Sequence, residues 1–235
     1  MTPRRRRVLL GIASAGLLVT IALWPVSTRV GINYRVTERR ITLFEKCVSF
    51  IDRDLQTRRL AAAVTRGAIG DEETLLQLFS YVGEHVRPTP PGLPVIDDHP
   101  LHILLRGYGA ADQQTEAFAL LASYSGYPAS GSFRLASDGS RLLVALVEVG
   151  DRRFVFGVAD GILFRDGQGR LLDLSQLLRD PALANAAAPG RTIAGLPLSR
   201  FFQNVAGTPQ PSFARMESQK PMLRLKFELL RLFGR

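Results

Sequence analysis

Arg106-Gly107-Tyr108-Gly109-Ala110-Ala111-Asp112-Gln113-Gln114 is a turn punctuated by two glycines and followed at once by an acidic, amide-rich helix start. A helix is expected over 112–124, with Phe118, Leu121 and Ala122 facing one way and Gly126-Tyr127-Pro128 stopping it. Strands follow. Runs 132–136 and 141–149 flank Asp138-Gly139, a strong hairpin signal, and 152–158 follows across Gly150-Asp151. Runs 161–164 and 170–174 flank Asp166-Gly167. Helices followed by an antiparallel sheet define an α+β fold class.

Upstream, residues 30–66 are predicted to be helical. Leu43, Cys47, Phe50, Ile51 and Leu55 recur at spacings of three and four and form one apolar stripe, with Cys47 read as a small buried hydrophobe on it. Gly70 breaks this pattern. Asp71 is the expected N-cap of a helix over 72–85, closed by His85 where a cation is favoured. Residues 87–94, rich in proline, read as an extended loop.

The segment from Asp97 to Gln114 resembles the transglutaminase-like superfamily, whose bacterial members carry an Arg-Gly-Tyr-Gly-x-Cys-Asp-Gln-Gln segment. The helix after it, the Gly126-Tyr127-Pro128-Ala129 turn and the strand ending Val147-Glu148-Val149 match in order. So does the stretch from Val155 to Phe164, and the resemblance covers residues 70–180, about half the chain. It implies a papain-like fold with nucleophilic chemistry. A Cys at a helix start has its thiol pKa lowered by the helix dipole, a His on a facing strand takes its proton, and an Asp orients that His.

Residue by residue, the Cys position is Ala111, the His position Val144 and the Asp position Gly157, so the resemblance implies a degenerate member without its triad. A two-residue loop at Gly150-Asp151 pairs Val149 with Arg152, Val147 with Phe154 and Val144 with Gly157. Directly opposed residues have Cβ atoms about 5 Å apart, the distance a His–Asp contact needs. Removing a whole triad costs about 10⁶-fold in turnover, which leaves no route for the family mechanism.

Other polar residues point to binding. Arg106, Tyr108, Asp112, Gln113, Gln114 and Asp160 are candidates to line a cleft that binds without reacting. Asp97, Asp98, His99 and His102 form the richest titratable cluster. Pro100 interrupts the His-x-x-His spacing, so capping or surface histidines are preferred to a metal pair, and neither metal nor cofactor is expected. Glu148 and Arg153 are expected to form a cross-strand ion pair.

The 235 residues carry a net charge of +9, but unevenly. Residues 1–40 hold 8 basic and 1 acidic side chains, 41–180 hold 14 and 18, and 181–235 hold 8 and 2. The body is mildly acidic, which argues against nucleic acid and places the basic excess on two ends suited to a membrane surface. Residues 1–7 read as a basic cytoplasmic tail and 8–26 as a transmembrane signal anchor. Arg7 can snorkel at one interface and Trp24 sits at the other. A cleaved signal peptide is the alternative, although Leu23-Trp24-Pro25-Val26 is a poor cleavage site.

Residues 27–69 form a juxtamembrane helical segment, and its 30–66 stripe offers a face for homo-oligomerisation. Residues 181–213, rich in Ala, Pro and Gly, read as mobile or draped, and 214–235 as a basic amphipathic helix. The expectation is a non-catalytic, single-pass protein of the bacterial inner membrane with a periplasmic body. It would be a binding or assembly component whose partner is an envelope protein or a glycan. The resemblance implies a setting in polysaccharide synthesis or export. Alternatives are an enzyme with a rebuilt, non-cysteine site in the same cleft, using Asp97, His99, His102, Asp112 or Asp160, and a lipid-surface adaptor acting through the C-terminal helix.

Overall fold

The first third of the chain departs from the predicted helix. In the computed structural model, which describes residues 3–33, 35–97, 99–203 and 212–232, helix α1 (Pro3–Ala22) takes in the arginine run and most of the apolar stretch. Among the described residues no helix is long and apolar enough to cross a membrane. Residues 25–42 are not helical. They form β1 (Pro25–Ile32) and β2 (Arg35–Thr42), an antiparallel hairpin in which Ile32 pairs with Arg35. Val26, Thr28, Val30 and Ile32 are β-branched at every second position, a pattern that favours strand over helix. Asn33 supplies the turn at φ 48°.

Helix α2 (Leu43–Val64) begins at a capping box, with the Glu45 amide donating to Thr42 Oγ1 at 3.1 Å and the Thr42 amide to Glu45 Oε2 at 2.8 Å. Its buried side is Asp54, Thr57 and Ala61. The stripe predicted to be buried faces outward instead: Cys47 is exposed, and so are Ile51 and Leu55.

Helix α3 (Asp71–His85) has Gly70 as its N-cap, so Asp71 is the first helical residue rather than the cap. Then come β3 (Arg87–Pro88), β4 (Ile96–Asp97), α4 (Pro100–Arg106), β5 (Tyr108–Gly109) and α5 (Ala111–Tyr124). Strand β4 pairs with β1 and ties the amino-terminal hairpin to the body. Pro100 does not disrupt the histidine pair. It occupies the first turn of α4, where a fixed φ suits the helix, and His99 is the cap. Helix α5 is more than amphipathic. All but one of the residues from Gln113 to Ser123 are buried, and Phe118 to Ala122 are fully so. It is the central helix, packed on α2, α3, α4 and the sheet.

The sheet has the order β6 (Ala129–Leu135), β7 (Arg141–Val149), β8 (Arg152–Gly157), β9 (Ile162–Leu163), all antiparallel. Its two faces feed two cores. Ala145, Val147, Phe154 and Phe156 pack with α5, Leu78 and Phe79. Val144, Leu146, Val155 and Ile162 pack with Phe164, Phe201 and Phe202.

No strand forms over 170–174. That stretch makes isolated bridges, Arg165 with Leu171 and Phe154 with Asp173. Asp173 then caps α6 (Leu174–Arg179), with the Gln176 amide donating to its Oδ1 at 3.0 Å. Nor are residues 181–203 draped. They form α7 (Ala182–Ala187), β10 (Thr192–Ile193), β11 (Leu196–Pro197) and α8 (Arg200–Gln203). Within them Leu198, Phe201 and Phe202 are fully buried. Burying a Phe stabilises by about 1.5–3 kcal/mol, which explains why so Ala- and Pro-rich a segment folds. Residues 204–211 of that segment lie outside the described residues. The chain closes with α9 (Ala214–Glu217) and the helical α10 (Pro221–Leu232).

Candidate functional site

The glycine turn is held by its own backbone. Gly107 ends α4 at φ 74°, a conformation open to glycine without strain. The Arg87 amide donates to Gly107 O at 3.0 Å and the Thr89 amide to Gly109 O at 3.1 Å, which pins β5 beside β3. A Cβ on Gly109 would lie 2.9 Å from Ile103 Cγ2 and 3.1 Å from Gln113 Cβ, so only glycine lets α5 start this close to α4.

Arg106, Gln113 and Gln114 brace this turn and tie it to β4. Arg106 donates from Nε to Tyr108 O at 3.2 Å and from Nη2 to Ile96 O at 3.2 Å, with its guanidinium 5.2 Å from the Tyr108 ring centre. Gln113 accepts from the Ala110 amide at 3.0 Å and donates to Ile96 O at 2.6 Å. Gln114 donates to Gly109 O at 3.1 Å. Asp112 is exposed and accepts from the Gln113 amide at 2.9 Å. Asp160 lies past β8, where its carbonyl accepts from Arg191 and burial pushes its carboxyl up against the pull of that arginine.

Ala111 stands exposed at the start of α5. Val144 is fully buried in the core on the other side of the sheet, and Gly157 pairs with Ile162 of that same core. The hairpin register is the expected one, with Val149 opposite Arg152, Val147 opposite Phe154 and Ala145 opposite Phe156. Side chains alternate along a strand, so a shift of one residue sends every one to the other face. The structure therefore does not bring Ala111, Val144 and Gly157 together.

The residues level with Ala111 can be found by counting. A Cβ on Gly131 would touch Thr115 Cγ2 at 3.5 Å. At about 1.5 Å per helical residue and 3.3 Å per strand residue, the start of α5 runs from there toward the Phe133 end of β6. Phe133 pairs with Leu143 of β7, and Val158 on the far side belongs to the α5 core. These neighbours are apolar too.

Residues missed by sequence reasoning surround the first turns of α5. Glu116 Oε1 lies 2.6 Å from Arg215 Nη1 of α9. Burial pushes the Glu116 carboxyl up to about 7, Arg215 pulls it down, and the charges of Asp112 and Asp97 add to the rise. Glu116, Gly131, Phe133 and Arg215 line a pocket of about 390 Å³ beside edge strand β6. Only the helical spacing of Glu116 from Asp112 was visible beforehand, because its partner is 99 positions away.

His99, His102, Asp97, Arg53 and Arg215 line a second pocket of about 340 Å³. His99 Nδ1 accepts from the Leu101 amide at 3.1 Å, a bond only the neutral ring can make. Burial first, then the charges of Arg53 and His102, push its pKa down to about 4. Asp98 lies outside the described residues. Among the described residues, no group of three or more His, Cys, Asp and Glu side chains is placed to hold a metal ion. Glu148 and Arg153 are paired at 2.8 Å, as their cross-strand position implied.

Comparison with protein-family models finds no match, and comparison with curated proteins finds none. Solved structures similar to the chain include a protein from Cytophaga hutchinsonii assigned as a cysteine protease, at TM-score 0.41 and 10% identity, covering 51% of this chain and 41% of that one. A TGase is similar at TM-score 0.35 and 11% identity, covering 62% and 47%. The chain spans less than half the length of each.

Proposed function

We propose that this chain is a non-catalytic binding or assembly protein of the bacterial envelope, built on a transglutaminase-like, papain-like domain and held at the inner membrane by the apolar stretch of residues 8–26 with its body in the periplasm. One observation carries the reading. At the position the resemblance gives the nucleophile stands an exposed Ala111, and the positions it gives the base and the group that orients it hold Val144 and Gly157. Neither a methyl group nor an aliphatic chain transfers a proton or attacks a carbonyl. The surrounding polar side chains hold the backbone of the turn and of β4 beside it, which makes that turn a rigid rim suited to recognition. Attachment by this stretch is supported by the arginine run before it and by Trp24 near its end. An envelope glycan or protein is the proposed partner, in polysaccharide synthesis or export as the sequence resemblance implies.

A second reading has one observation behind it. Glu116, a half-buried carboxyl pushed up to about 7 beside Arg215, has the protonation behaviour of a general acid or base. One experiment separates the two. Full-length chain in detergent is incubated with peptide amides, esters and envelope oligosaccharides, with binding followed by calorimetry and products by mass spectrometry. Binding without product is expected. Turnover that disappears in Glu116→Gln would establish the rebuilt enzyme and end the non-catalytic reading.

A further inference from the structure

Helix α2 presents Phe44, Val48, Ile51 and Leu55 to solvent at spacings of four, three and four, a single stripe on the side away from the body. Helix α10 lies against α2 and presents Met222, Leu225 and Leu229, also in one row. Between the rows runs a groove of about 580 Å³ floored by Val26, Leu43, Cys47 and Phe50. The stripe of α2 starts where α1 ends, since the Leu43 amide donates to Trp24 O at 2.9 Å and Trp24 is itself exposed. Apolar surface is therefore continuous from α1 through Trp24 to α2 and α10. Soluble monomers rarely leave so large a connected patch in water.

Charge selects the occupant. The groove is lined by Lys46 of α2 and by Arg224 of α10, which pairs with Glu228 at 2.7 Å, and Lys226 of α10 is exposed beside them. Residues 1–40 and 181–235, which bring β1 and α10 to this surface, hold 16 basic and 3 acidic side chains, whereas residues 41–180, which bring α2, are net acidic. A second copy on the same face would set these cations against each other. Anionic headgroups complement them, and an apolar row between cations is how an amphipathic helix sits in a bilayer interface.

We infer that the α2–α10 face is a lipid-docking surface that lays the body on an anionic bilayer beside α1. This rests on the membrane part of the reading above and extends it to a separate surface with its own residues.

Cys47 is the only cysteine of the chain, and it is exposed in the groove. It can carry a fluorophore in the otherwise unaltered full-length protein. The labelled protein is reconstituted into vesicles of phosphatidylcholine and phosphatidylglycerol containing a shallow nitroxide lipid. Emission should shift to the blue and be quenched, less so in phosphatidylcholine alone and less so at high salt. Met222→Glu/Leu225→Glu/Leu229→Glu, at exposed positions, should lose most of the quenching while keeping the wild-type circular dichroism and Tm. If the triple variant is poorly folded, the salt and lipid dependence of the wild type still decides the matter. Protein that floats with the vesicles but is not quenched overturns the docking surface and leaves α1 attachment standing. Quenching absent in the labelled protein, together with Cys47–Cys47 disulfide formed by the unlabelled protein under a mild oxidant, would make the face a dimer interface instead. Protein that does not float at all overturns both.

Discussion

Val144 and Ala145 are neighbours in β7, yet Val144 packs among Phe164, Phe201 and Phe202 while Ala145 lies under α5 with Phe118. The first environment is a closed apolar core. The second opens at its rim onto Ala111, Asp112 and Glu116, with Arg215 strapped across. Both faces are buried at the centre. The α5 side has Glu116 and His99 at its edge, and the other has Asp173 at the start of α6, where burial pushes its carboxyl up but Ser175, the Gln176 amide and Arg152 hold it below the ordinary range. A charged group does sit on the closed side: Arg134 is buried there, donating to Phe201 O at 3.4 Å, with its guanidinium pushed down by burial. A guanidinium stays charged through ordinary pH, so the interior of the closed face does not titrate, whereas the α5 rim titrates through Glu116 near neutral pH.

Placing polar groups on each face is the strongest way to break this contrast. Val144→His with Gly157→Asp puts an imidazole and a carboxylate into the closed core, and a Cβ at 157 would meet Ile162 Cβ at 2.9 Å. The expected cost is about 4 kcal/mol or more in urea unfolding. Leu143→His with Val158→Asp changes the same two strands one residue over, toward the exposed helix start, and should cost distinctly less. With Ala111→Cys added, that second pair should raise thiol reactivity toward iodoacetamide above Ala111→Cys alone. The first pair should leave it unchanged. Equal costs and equal reactivities would mean that the two faces are not distinguished as described.

Next in size is Phe202→Ala. If residues 181–203 form a true core, the loss is about 3 kcal/mol or more, comparable to Phe118→Ala on the other face. A draped segment would lose almost nothing, and urea midpoints separate the two.

How much of this was legible follows from range. The β7–β8 register was readable because Gly150-Asp151 fixes it locally, and the Glu148–Arg153 pair followed from it. Which face Val144 occupies was not, because it depends on where α5 lands, and a one-residue error inverts the answer. The β1–β2 hairpin was misread because apolar periodicity was extended upstream past the Thr42–Glu45 capping box, itself visible in the sequence. The outward stripe of α2 was taken for core since periodicity identifies an apolar face without saying what covers it. The straps from the C-terminus, Arg215 to Glu116 and Tyr124 to the Gln219 carbonyl at 3.0 Å, join residues about a hundred positions apart and leave no local trace.

Acid and base should act on the α5 side in opposite directions. The Glu116 pKa is raised in the fold to about 7 from an ordinary 4.5. Its contribution to stability is complete below pH 4.5 and is lost as pH rises through 7. Glu116→Gln should therefore be more stable than wild type at pH 8, by on the order of 1–2 kcal/mol, and close to it at pH 5. His99 has the reverse sign: lowered to about 4 from 6.5, its contribution is present above pH 6.5 and lost as pH falls toward 4. His99→Asn keeps a capping side chain without the ionisation and should flatten the acid limb by on the order of 1 kcal/mol. Phe202→Ala should lower the whole pH–stability curve without changing its shape.

The smallest effect is at the outer end of the hairpin. Glu148 and Arg153 are each about a third exposed, so their 2.8 Å pair is well screened by solvent. A double-mutant cycle with Glu148→Gln and Arg153→Gln should give a coupling of about 0.5 kcal/mol that shrinks with added salt. The pair lies beyond both cores, where neither face excludes water. A coupling of several kcal/mol would mean that one face continues to the hairpin tip, and the boundary between wet rim and closed core would have to be redrawn there.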